Sequence, residues 1–96
     1  MQKNDQLFMQ LLYMFHTSAM QGLGKIADPT GQITRNLEYV TQTIDLMEML
    51  KDKTKGNITE DIEKVLDGML SELHINYIDE KSRSEAAAGK VKKDNE

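Results

Sequence analysis

From Gln6 to Gly24 nineteen residues pass without a single Asp, Glu, Lys or Arg. Within that stretch Leu7, Phe8, Leu11, Leu12, Phe15, Ala19 and Leu23 recur at the spacing of one broad helix face. Met9, Tyr13, Met14 and Met20 add apolar surface beside it, and the polar strip formed by Gln6, Gln10, Thr17 and Gln21 is narrow and uncharged. A helix apolar over most of its circumference is normally covered on several sides. In a chain of 96 residues two further short helices can cover about half of it. The first helix therefore demands a helical fold around it and points to a second molecule to complete the cover.

The rest of the chain reads as such a fold. The first helix is expected over residues 5–23, ending at Gly22 and Gly24, where glycine suits the left-handed stop. Asp28-Pro29-Thr30-Gly31 has the residue order of a type I turn. A second helix, over residues 35–54, starts near Thr34 or Asn36 and carries a Leu37, Val40, Ile44, Met47, Leu50 stripe that Leu46 and Met49 widen. Lys51, Lys53 and Lys55 suit the negative end of its dipole, and Gly56 its termination. The third helix, over residues 59–78, opens at Thr59 and presents Ile62, Leu66, Met69, Leu73 and Tyr77. The short connection between the second and third makes them an antiparallel hairpin. The fold class is thus all-α, a single three-helix domain over residues 1–78, paired with a copy into a dimeric helical bundle. Residues 79–96 hold only Ala86, Ala87, Ala88 and Val91 as apolar side chains and read as a polar, disordered tail.

Charge narrows the function classes. Residues 1–78 hold seven Lys/Arg against eleven Asp/Glu, and the tail holds five of each, so the formal charge of −4 sits on the helical part. An acidic body is a poor match for a phosphate backbone, and with no tryptophan, two Phe and three Tyr there are few stacking platforms. Nucleic acid is disfavoured as a partner. The alternative that survives is an accessory factor of nucleic acid or ribosome, touching RNA through Lys51, Lys53, Lys55 and the tail lysines Lys90, Lys92 and Lys93. The absence of cysteine excludes disulfides, thiolate metal sites and a cysteine nucleophile. The amino-terminal stretch is a poor secretory signal, because Asp5 cancels Lys3 and Gln10 interrupts the apolar run. It is also a poor membrane span: Leu7 to Leu23 is seventeen residues and includes Gln10, His16, Thr17, Ser18 and Gln21, against the ~20 apolar residues a bilayer requires.

No constellation for chemistry emerges. His16 and His74 have no strong ligand three or four residues away, so neither begins a helical metal site. Asp45, Glu48 and Asp52 share a helix face and alternate with Lys51 and Lys55, as solvated faces do. Neither Gly22-Leu23-Gly24 nor Lys55-Gly56-Asn57 fits a phosphate loop. No catalytic residue, metal or cofactor is expected, and the chain reads as a non-enzyme.

Small residues supply the sharper clue. Ser18 and Gly22 lie four apart with Ala19 beside them, a spacing that lets two helix backbones approach closely. The groove either receives a helix of the same chain or holds a second copy. Self-association is the reading favoured here, with Leu11, Phe15, Ser18, Ala19 and Gly22 as the contact and a homodimer as the product. An unidentified protein partner is the remaining possibility, for which Met9, Met14 and Met20 offer adaptable surface.

The segment Thr43-Ile44-Asp45-Leu46-Met47-Glu48-Met49-Leu50, followed by Lys53-Thr54-Lys55-Gly56-Asn57-Ile58-Thr59, resembles a small bacterial family known as domain of unknown function eighteen-forty-four. That family looks like an apolar first helix ending near glycine, a Pro-Gly loop, a TIDLL-ML--KTKGNLT segment and a final amphipathic helix. The four parts occur in order across about residues 7–78 of this chain. Met47 and Ile58 stand where the family usually has leucine, and Glu60 where a proline is common. The resemblance implies a bacterial, cytoplasmic protein, and it implies no activity and no site residue.

Overall fold

The computed structural model describes residues 2–94, and the side chains of residues 2–86. Three helices account for it: α1 (Lys3–Gly22), α2 (Leu37–Lys53) and α3 (Glu60–Asp94). They pack together in an up-down-up order. Ser18 bonds Tyr39 and Gly22 O accepts from Asn36 N, so α1 and α2 run antiparallel. Lys51 meets Asp67 and Glu48 meets His74, so α2 and α3 are antiparallel as well. The expected hairpin is present.

Local chemistry fixes the helix ends. Beyond Gly22, Lys25 N donates to Met20 O and Gly24 N to Gln21 O, with Gly24 at φ 76°, the double bond that closes a helix through a left-handed glycine. In the following loop Asp28 Oδ1 accepts from Thr30 N (2.9 Å), Thr30 Oγ1 (2.5 Å) and Gln32 N (3.0 Å). These donors, the Thr30 hydroxyl first, hold the Asp28 carboxyl below its ordinary value. Asn36 Oδ1 accepts from Tyr39 N and caps α2, and Thr59 Oγ1 accepts from Ile62 N and caps α3.

The core lies where the three stripes meet. Leu12, Val40, Met47, Leu66 and Leu73 are fully enclosed, and Phe8, Phe15, Leu37 and Tyr77 pack half-buried around them. The stripes expected on helices 2 and 3 are the buried ones. On α1 the buried side is narrower than the apolar sequence: Leu12, Ala19 and Leu23 are enclosed, whereas Leu7 and Leu11 are exposed.

The third helix departs from expectation. It does not stop at residue 78 but continues to Asp94. The first part of this extension is anchored at Glu80, which is only 7 % exposed although it sits in a polar segment. Lys25 Nζ lies 2.8 Å from its carboxylate and Arg35 Nη1 donates to it, while Arg35 Nη2 donates to Ser84 Oγ at 2.7 Å. Two cations from the α1–α2 loop thus hold two turns of helix that composition alone leaves unsupported.

Candidate docking face

Leu7, Leu11, Met14 and Ser18 follow one another at intervals of four, three and four, so they share one face of α1. The Ser18 and Tyr39 hydroxyls share a hydrogen bond, which fixes the register of α1 against α2. Seven residues, two helical turns, separate Ser18 from Leu11 and Tyr39 from Leu46. In an antiparallel pair the same step taken from that bond brings Leu11 level with Leu46. Met49, three residues on, continues the row. Leu7, Leu11, Met14, Tyr39, Leu46 and Met49, between 37 and 68 % exposed, therefore form one apolar face across two helices.

A shallow groove of about 430 Å³ runs along the free side of α1, lined by Gln10, Tyr13, Met14, Thr17, Ser18 and Gln21. It has hydrogen-bonding groups and no charge. On α2 charge is interleaved with the apolar row: Lys53 stands seven residues from Leu46 on that row, and Glu38 and Asp45 are exposed beside Met49.

The five residues assigned from sequence to self-association divide between two roles. Leu11 lies on the outer face, and Ser18 borders it while bonded to Tyr39. Phe15 is half-buried against the core, and Ala19 is fully buried. Gly22 receives α2 of the same chain: a Cβ built there would stand 2.8 Å from Val40 Cγ2 and 3.2 Å from Tyr39 Cδ2. The small-residue groove is filled from within, and the outward surface of α1 lies one strip away. Among the three methionines, Met9 and Met20 pack on the core and Met14 alone is open, at 68 %. The share of α2 in the face was missed because Leu46 and Met49 look like a widening of its core stripe. The signal was Tyr39, Leu46 and Met49 recurring on a second helical row.

Charged residues form a different surface. A cleft of about 670 Å³ between α2 and α3 is lined by Glu48, Asp52, Glu63 and Asp67 together with Lys51, Lys55 and His74. Lys51 Nζ lies 2.6 Å from Asp67 Oδ1, and that hydrogen bond holds the lysine above its ordinary value. His74 Nε2 is 2.9 Å from Glu48 Oε1. His16 Nε2 faces Glu72 Oε2 at 3.3 Å between α1 and α3. The histidines and Lys51 are thus engaged in joining helices, Lys55 lines the same cleft, and Lys53 lies outside it and is exposed. Among the described residues no group of three or more His, Asp or Glu side chains could hold a metal ion. Nor is any helix among them long and apolar enough to cross a membrane. Lys90, Lys92 and Lys93 lie outside the residues whose side chains are described.

A family model, DUF1844, a domain of unknown function, matches residues 5–79, and the chain belongs to that family. The comparisons with curated proteins and with solved structures gave no match.

Proposed function

We propose that this member of the DUF1844 family is a non-enzymatic interaction protein that works as a homo-oligomer through its apolar first helix. The observation that carries the reading is the outer face of α1, where Leu7, Leu11 and Met14 stand open along a helix without a charge between Gln6 and Gly24. Burying such side chains contributes about 25 cal/mol per Å² of apolar area, so leaving them in water forgoes a large driving force. In the α2–α3 cleft Lys51 pairs with Asp67 and His74 with Glu48. The RNA-binding alternative is the weaker reading, because Lys51 of its Lys51–Lys55 run is tied to Asp67 and only Lys53 and Lys55 stand exposed. The family resemblance supports a bacterial cytosol as the setting.

Met14 gives the test, because its side chain makes no part of the core and is open to solvent. The variant Met14→Glu is expected to keep its helical circular dichroism and cooperative melt while its solution mass by light scattering falls to that of one chain. An oligomer undiminished by Met14→Glu would remove the outer face of α1 from the contact.

A further inference from the structure

We infer that the face formed by α1 and α2 is occupied by a second copy of this chain, docked by a two-fold so that the two α1–α2 layers pack face to face with both α3 helices outside. This rests on the homo-oligomer reading above and deepens it, since it places half of the contact on α2 rather than on the first helix alone.

Three observations support a copy as occupant. The first is area. The six side chains from Leu7 to Met49 expose on the order of 600 Å² between them, close to the ~800 Å² per partner of a standard interface once a polar rim is added. That is also the upper end of what a monomer leaves in water. The second is charge. A body carrying −4 repels its copy over most of its surface, yet α1 contributes no charge from Gln6 onward. On the α1 half like meets like without opposition, as an isologous two-fold contact requires, and on the α2 half the exposed Glu38, Asp45 and Lys53 carry charges of both signs. A strongly basic or acidic partner would find nothing on α1 to recognise. The third is preorganisation. The Ser18–Tyr39 bond and the close seat of Gly22 against Val40 hold the two helices in one register, so little ordering cost remains at docking.

The geometry also says what stays outside. Ile75 and Ile78 are exposed on the side of α3 turned away from the core row Leu66, Met69 and Leu73, so they take no part in those layers.

Full-length variants measured by sedimentation equilibrium at low-micromolar concentration test the inference. Wild type and Ile75→Glu are expected at twice the 11.0 kDa chain mass, and Leu46→Glu at the chain mass itself. Met49→Glu, on the same face, provides the decisive reading should Leu46→Glu fail to melt cooperatively. A wild-type dimer that survives both α2 variants but falls apart with Met14→Glu would overturn the share given to α2 and leave the homo-oligomer reading intact. Dissociation by Ile75→Glu would place the contact on α3 and overturn the inference. A wild-type monomer throughout would remove both the inference and the reading it rests on.

Discussion

Replacing Gly22 by leucine is expected to destabilise each folded chain rather than to disturb pairing between chains. The Cβ alone would approach Val40 Cγ2 to 2.8 Å and the Asn36 carbonyl to 3.4 Å, and the remaining carbons have the enclosed α1–α2 seam to enter. Overpacking of this kind costs about 1–3 kcal/mol. The whole fold of a chain this size is worth only about 5–14 kcal/mol, so the loss is a large share of it. Chemical denaturation would show it as a lower midpoint. The direction also separates two roles for the same residue. A contact between copies would make Gly22→Leu monomeric with an unchanged midpoint for the dissociated chain, whereas an internal seat lowers the midpoint at every protein concentration.

The second large effect is expected at Glu80. Hydrogen bonds from Lys25 and then Arg35 hold its carboxyl below the ordinary value of 4.5. A carboxyl with a depressed folded-state pKa contributes stability that is fully present above its unfolded value and is lost as pH falls through the folded one. Wild type is therefore expected to lose stability on acidification below about pH 4.5. Glu80→Gln should be less stable at neutral pH and less sensitive to acid, so that the two curves converge at low pH. Some acid sensitivity remains in the variant, because Asp28 is held down in the same sense by Thr30 and Gln32. Amide exchange adds a readout in place. Protection between Glu80 and Ser84 should fall in Glu80→Gln, while protection around Leu66 is retained. Parallel acid curves for the two proteins would mean that the loop cations do not hold this part of α3.

These two residues also mark where the sequence is readable and where it is not. Asn36, Thr59, Gly24 and the Asp28 turn act on backbone groups a few residues away, so their chemistry is visible locally. Leu66 and Leu73 declare their burial through a helical period. Glu80 declares nothing: it lies in a polar run, and its partners Lys25 and Arg35 come from a loop 45 or more residues earlier. Composition treats such a carboxylate as solvated, whereas the fold brings two cations to it. Gly22 is intermediate. Its spacing from Ser18 announces a close helix contact, but only the loop path, with Asn36 bonded to Gly22 O, decides that α2 fills it.

The docking face follows the same division. Its α1 half was legible because nineteen uncharged residues cannot all face a core made by two helices. Its α2 half depends on the register set by Ser18 and Tyr39, a pairing across 21 residues that no local pattern reports. Once the register is known, Leu46 falls level with Leu11 and the two rows become one surface.

The central claim, that this surface joins copies of the chain, is tested most directly by the solution mass of the wild-type protein across a dilution series. A particle of twice 11.0 kDa that persists into the low-micromolar range and dissociates on further dilution is the result predicted. A mass of one chain at every concentration, including the highest that stays soluble, would contradict it.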